Sequence, residues 1–186
     1  MNIFVAGVHG VGKSYLASQV PLTLALMHTS ASKLINEERK MSTWNVDKRV
    51  DDVDANQIAL ASAVTRYNSA GKRLLLDGHF VLLNGQGEFV RLGSNVFRPL
   101  NLDGVVLVEA TPDTIAARIR GRDGRAVDVE HITKFMAAER SQAQTVCNEL
   151  GVSLSILNAP SLDIFVGVLA GMPAKDGRCS ADVTRA

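Results

Sequence analysis

Gly7, Gly12, Lys13 and Ser14 stand at the spacing G-x-x-x-x-G-K-[ST], directly after the apolar run Ile3 to Ala6. Glycines at such positions let backbone N–H groups close around phosphate oxygens, and a helix that follows turns its positive end toward the same anions. Lys13 is then expected to reach the β- and γ-phosphates of ATP, and the Ser14 hydroxyl to meet Mg²⁺. Gly7, Gly10, Val11, Gly12 and Tyr15 complete the expected nucleotide-binding set, while His9 needs only its backbone there.

Asp77 closes a second apolar run, Leu74 to Leu76. It reads as a metal-side carboxylate, acting directly or through water, or more plainly as a turn aspartate before Gly78. His79 lies on the same side of an extended chain as Asp77. It either orients the attacking group or Asp77, or packs at the base of a hairpin. Arg118, Arg120, Arg122 and Arg125 cluster around Gly121 and Gly124. A mobile flap of arginines can neutralise the charge of phosphoryl transfer and exclude water, because the guanidinium fork grips phosphate oxygens bidentately. A solvated charge run is the alternative. Asp123 and Asp128 are expected to pair within the flap. Arg140, in the next helix, could turn back toward the phosphates. The stretch from Lys33 to Asp54 mixes both signs of charge. Arg39 or Arg49 could hold an acceptor there, or the segment could pair with itself at the surface. Trp44 either stacks on a base or pins that loop.

The elements that must position these groups alternate in type. Strands are expected at Asn2–Ala6, within Leu24–Thr29, at Leu74–Asp77, Val105–Glu109 and Val152–Leu157. Helices are expected from Lys13 to near Pro21, over Ser30–Lys40 with Ser30 or Ser32 as cap, and over Val53–Ala70. Three more are expected from Thr111 to about Gly121 with Pro112 in the first turn, over Val129–Leu150 before Gly151, and over Pro160–Leu169. His79 to Leu92 reads as a β-hairpin around Asn84-Gly85. Strands separated by helices imply an α/β sheet with helices on both faces, whose ligands lie beyond the carboxyl ends of the strands. Gly7, Asp77 and the segment after Glu109 all fall at those ends.

The chain has 186 residues, 46% hydrophobic and 21% charged, with formal net charge +1. This suits one globular domain over residues 1–170 and offers no global field toward nucleic acid or an acidic membrane. A flexible tail is expected over 171–186. Cys147 and Cys179 match no metal spacing and suit a reducing compartment. With no readable signal segment and no apolar stretch of membrane length, a cytoplasmic location is expected. In a chain of this length, the added helical domain of an AAA-type motor is not expected.

With these pieces placed, the sequence resembles an adenylate kinase of the archaeal type, within the P-loop nucleoside monophosphate kinases. The resemblance rests on the Gly7–Ser14 loop, Leu74–His79, Val106–Pro112, the Arg118–Arg125 flap and Arg140, in that order over roughly residues 1–161. It implies the P-loop NTPase three-layer fold, with a five-stranded parallel sheet, ATP and Mg²⁺, and a short lid over about residues 118–128. The activity implied is phosphoryl transfer to a nucleoside monophosphate, most simply AMP giving ADP. Gly10, Gly12, Lys13 and Ser14 would bind ATP, Asp77 would act on the metal side, and Arg118, Arg122 and Arg140 would clamp phosphates. The loop from Asn158 to Ser161 would border the adenine. The clear Asn-Gly hairpin and the acceptor region, about residues 30–54, depart from the family pattern. Two further readings therefore stand beside the first: an ATPase switch acting with a protein or RNA partner, and a kinase for a different small-molecule acceptor. A homo-oligomer is compatible with all three.

Overall fold

The computed structural model describes residues 2–41, 52–124 and 127–172. β1 (Asn2–Ala6) lies at the centre of a five-stranded parallel sheet. Around it stand β2 (Leu26–Ser30), β3 (Arg73–Asp77), β6 (Leu102–Glu109) and β7 (Ser153–Asn158), in the order β2-β3-β1-β6-β7. Every residue of β1 and β6 is buried, which is why both read as unbroken rather than alternating runs: helices cover both faces.

Strand alternation divides the core between those faces. Ile3 and Val5 point into one layer, with Leu16 of α1 (Lys13–Ser18), Ile115 of α5 (Pro112–Asp123) and Phe165 of α7 (Leu162–Gly171). Phe4 and Ala6 point into the other, with Leu34 of α2 (Ala31–Met41), Leu60 of α3 (Asp52–Ser69) and Phe97 of α4 (Ser94–Phe97). The long helix α6 (Val129–Leu150) serves both, giving Ile132, Phe135 and Ala138 to the first and Ala143, Val146 and Cys147 to the second. Phe4 meets Phe80 and Phe97 edge-on, at ring separations of 5.3 and 5.4 Å.

Local chemistry sets the boundaries. Thr111 Oγ1 accepts from Thr114 N–H with Pro112 in the first turn of α5, and Gly151 at φ +64° ends α6. The sequence places the end of α5 near Gly121, but the helix continues to Asp123 and stops at Gly124, which takes the left-handed conformation at φ +67°. The hairpin forms between β4 (Val81–Leu83) and β5 (Phe89–Arg91), with a wider turn than Asn84-Gly85 suggests. Asn84 Oδ1 accepts from the N–H groups of Gln86 and Glu88, and Gly87 takes the positive φ of +81°. The short turns over 94–100 carry no sequence signal. Trp44, Asp47, Lys48, Arg49, Arg125 and Cys179 lie outside the described residues. Of the tail expected over 171–186, Gly171 still belongs to α7 and Met172 is buried in the core, and the part from 173 onward lies outside the described residues. Among the described residues no helix is long and apolar enough to cross a membrane.

Candidate functional site

The loop from Gly7 to Gly12 joins β1 to α1 at the carboxyl end of the sheet. Gly7, Gly10 and Gly12 have φ of +138°, +81° and +107°, a region side chains rarely enter. A Cβ on Gly7 would lie 2.3 Å from Val108 O, so the loop is also seated against β6. Lys13 folds back into the loop, its Nζ donating to Gly7 O at 2.5 Å and Val8 O at 3.2 Å. It is buried, and burial lowers its pKa to about 8 against the opposing pull of Glu139 and Asp77. Ser14 is exposed in the first turn of α1.

Asp77 ends β3 beside the loop, with Val5 and Asp77 in register. Its Oδ2 lies 2.8 Å from His28 Nε2 on the neighbouring strand. Gly78 follows because a Cβ there would stand 2.7 Å from the Phe4 ring. Asp77, Lys13, Ser14 and His9 together line a cleft of about 480 Å³ bounded by α2, α3 and the hairpin. His79 sits in the wall of the same cleft, 4.4 Å from the His9 ring and stacked on Phe135 at 6.4 Å. Its Nδ1 has no hydrogen-bond partner and lies 3.8 Å from Glu139 Oε1. Burial, with Lys13 and His9 nearby, pushes its pKa down to about 2, so its ring is neutral at ordinary pH.

The arginines separate. Arg118 Nη1 donates to Val11 O at 2.7 Å, directly on the loop. Arg118 and Arg122 line a second cleft, of about 270 Å³, with Gly10, Gly12, Lys13 and Ser14. Arg122 also forks its neighbour Asp123, and Arg120 is exposed on α5. Asp128 caps α6, its Oδ1 accepting from Glu130 N–H. Arg140 holds Glu109 through its Nε and Nη2, at the carboxyl end of β6. Tyr15, mostly exposed, borders a third cleft of about 420 Å³ with Val11, Leu16, Ala159 and Pro160.

Two residues of the site escape the sequence reading. Glu139, 1% exposed, accepts from Gly7 N–H at 3.3 Å, Phe80 N–H at 2.9 Å and Val81 N–H at 2.8 Å. It thereby ties the phosphate loop to the segment after Asp77. Burial raises its pKa, opposed by these three donors and by Lys13. The available signal was a carboxylate on the apolar face marked by Ile132, Phe135, Gln142 and Val146. His28, the partner of Asp77, is legible only once β2 and β3 are known to be adjacent.

The donor set suits a magnesium nucleotide: a glycine cradle with no room for side chains at Gly7, a buried ammonium inside it, and a hydroxyl and a carboxylate, Ser14 and Asp77, on one cleft wall.

The family described as AAA domain matches residues 6–135, a span that holds the loop, Asp77 and α5. No curated protein sequence matches the chain. Among solved structures, an unliganded sugar kinase from Janibacter sp. HTCC2649 is similar with a TM-score of 0.57 and 15% identity, over 92% of each chain. A gluconokinase from Sinorhizobium meliloti 1021 is similar with a TM-score of 0.52 and 17% identity, over 92% of this chain and 90% of that one. At such identities the likeness is one of fold. These matches do not single out adenylate kinases.

Proposed function

The chain belongs to the AAA domain family, and from that premise we propose that it transfers the γ-phosphoryl group of ATP to a small molecule. One observation carries this reading: the phosphate loop and the 480 Å³ cleft share a wall, since His9, Lys13 and Ser14 line both that cleft and the one bearing Arg118 and Arg122. A nucleotide on the loop would present its γ-phosphate to whatever fills the larger cleft. Holding the two in line is most of what phosphoryl transfer asks of a protein.

Lys13 exchanges the Gly7 and Val8 carbonyls for phosphate oxygens. Ser14 and Asp77 would hold Mg²⁺, Asp77 directly or through water, and the ion would supply charge neutralisation at the phosphates. Arg118 and Arg122, one turn apart on α5, neutralise the charge that spreads over the transferring group, as the lid of the site. Arg140 reaches a phosphate only by releasing Glu109. The cleft beside Tyr15 and Pro160 takes the base.

The resemblance to adenylate kinases favours AMP or another nucleoside monophosphate as acceptor. The sugar kinase and gluconokinase of like fold favour a metabolite hydroxyl. The deciding experiment incubates the protein with Mg-ATP and a panel of nucleoside monophosphates, nucleosides, sugars and neutral alcohols, following ADP, free phosphate and each phosphorylated product. A product formed in step with ADP supports the kinase reading and names the acceptor. ADP with free phosphate, whatever is added, refutes it in favour of an ATPase that works with a partner.

A further inference from the structure

We propose that Glu139 is a positioning residue that carries the state of the phosphate loop to the wall of the larger cleft. Nucleotide on the loop then fixes the wall against which an acceptor is held; this rests on the phosphoryl-transfer reading above. Glu139 is 1% exposed and lies on α6, outside the lining of both clefts. It acts through the backbone of others, not on the reacting groups.

The hydrogen bonds form one continuous chain. Lys13 Nζ donates to Gly7 O inside the loop. Gly7 N–H donates to Glu139 Oε1 at 3.3 Å, and Phe80 N–H donates to the same oxygen at 2.9 Å. Val81 N–H holds the other oxygen, Oε2, at 2.8 Å. Across the base of the hairpin, Phe80 O accepts from Leu92 N–H at 2.9 Å, and Leu92 O accepts from Gln142 Nε2 at 2.8 Å. Gln142 stands one turn beyond Glu139 on the same face of α6. The helix thus grips the hairpin where it begins, at Phe80 and Val81, and where it ends, at Leu92. His79, Leu82 and Leu92 of this segment line the larger cleft.

Two features make the chain responsive rather than a fixed pin. Gly7 is held from both sides, its carbonyl by Lys13 and its N–H by Glu139. When Lys13 exchanges that carbonyl for a phosphate oxygen, the residue that Glu139 holds changes its own partners. The second feature is the sharing of Oε1. Its contact to Gly7 is longer than its contact to Phe80, so the loop end has room to tighten, and any movement of that oxygen is felt at Phe80. Glu139 is sealed from water, where a carboxylate short of donors is costly, so it follows its donors. A contact that only fastened the hairpin to α6 needs Phe80, Val81 and Leu92. The added bond to Gly7 is what joins the phosphate loop to it.

Continuity in space is not coupling, and hydrogen exchange read amide by amide by NMR measures the coupling itself. The full chain is compared with and without Mg²⁺ and the β,γ-imido analogue of ATP. We expect the analogue to slow exchange in the loop over 7–14. At Phe80, Val81 and Leu92 it should slow exchange at least about fivefold, the lower end of usual coupling between sites. Residues 61–69 of α3, outside the chain of hydrogen bonds, should keep their rates. Glu139→Asp retains the buried carboxylate but is too short to hold Gly7 and the hairpin together. In that variant the loop should still slow and the three hairpin amides should not, with circular dichroism showing the native fold. Slowing confined to the loop in the wild type overturns the proposal, as does a hairpin response that survives Glu139→Asp. Equal slowing in α3 is general stabilisation by a ligand and overturns it too. The wild-type pattern decides the matter where the variant does not fold. An analogue that does not bind ends the nucleotide reading and this inference together. A hairpin response alongside ADP and free phosphate for every acceptor ends the kinase reading alone.

Discussion

Replacing Lys13 by methionine should stabilise the nucleotide-free protein while ending its use of ATP. The ammonium is 6% exposed and its pKa falls from 10.5 to about 8 on folding, chiefly through burial. At ~1.4 kcal/mol per pKa unit, burying the charged form costs about 3 kcal/mol of stability. Methionine fills similar space without that cost, but Gly7 O and Val8 O lose their donor, at about 1 kcal/mol each. The balance is a gain of about 1 kcal/mol, or ~2–4 °C in Tm for a chain of this size. The pH dependence gives a second readout. Between about pH 8 and 10.5 the unfolded chain carries a proton on Lys13 that the native chain lacks, so raising the pH through that window increases wild-type stability. Below pH 8 both states are protonated and the full cost remains. Calorimetry of both proteins from pH 7 to 10, without nucleotide, should show the variant melting higher at pH 7 and the gap closing above pH 8. Mg-ATP should raise the Tm of the wild type alone. A variant that melts lower at pH 7, or a gap that does not narrow above pH 8, refutes the account of Lys13 as a buried charge only partly compensated by its neighbours.

Four other substitutions test the remaining geometry. Arg118→Ala and Arg122→Ala should each lower kcat by up to about 10³-fold with ATP affinity changed only a few-fold; steady-state kinetics showing full turnover in both would remove the lid. Gly7→Ala forces a Cβ to 2.3 Å from Val108 O at φ +138°, so it should cost on the order of 3 kcal/mol or more in urea unfolding, and an unchanged midpoint would contradict the seating of the loop. Glu139→Gln keeps an acceptor but turns an amide donor toward a backbone N–H, at about 1–3 kcal/mol. Because burial raises the Glu139 pKa, the native state holds that proton more tightly. Wild-type stability from this group therefore falls as pH rises from the ordinary carboxylate range through the raised value, and the variant should lose that slope.

The three inner strands β1, β3 and β6 were legible because they are buried on both faces and so stand out as apolar runs, each closed by glycine or a charged residue. The phosphate loop was legible because its glycines and lysine are fixed by local backbone geometry, a property of contiguous residues. Helix caps were legible for the same reason at Thr111 and Gly151, and less so at Gly121, where a glycine sits within the helix and Gly124 supplies the left-handed turn instead. What the sequence hid depends on contacts between distant segments. The Asn84 turn widened because a side-chain carbonyl captured two backbone donors. Glu139 joins residues more than fifty positions away, and His28 reaches Asp77 only through strand order. Arg140 was read toward the phosphates from its helix position, and Glu109, also a distant residue, holds it in this structure.

These long-range contacts also explain how one loop can serve two clefts. Glu139 sits where α6 passes from one layer of the core to the other; its Oε1 accepts from both Gly7, at the start of the phosphate loop, and Phe80, and its Oε2 accepts from Val81, behind the larger cleft. A shift of either segment must stretch hydrogen bonds to a carboxylate that has no water to fall back on. Lys13 and Glu139, with the neutral His79 beside them, thus form a set whose positive member carries a cost in the empty loop, a cost that a bound phosphate would relieve on the proposed reading. Under the proposed function, nucleotide affinity is drawn partly from removing that cost. The protein holds its lysine in place at a cost in stability, which is why the nucleotide-free Lys13→Met variant and the response of the wild type to Mg-ATP test the same account.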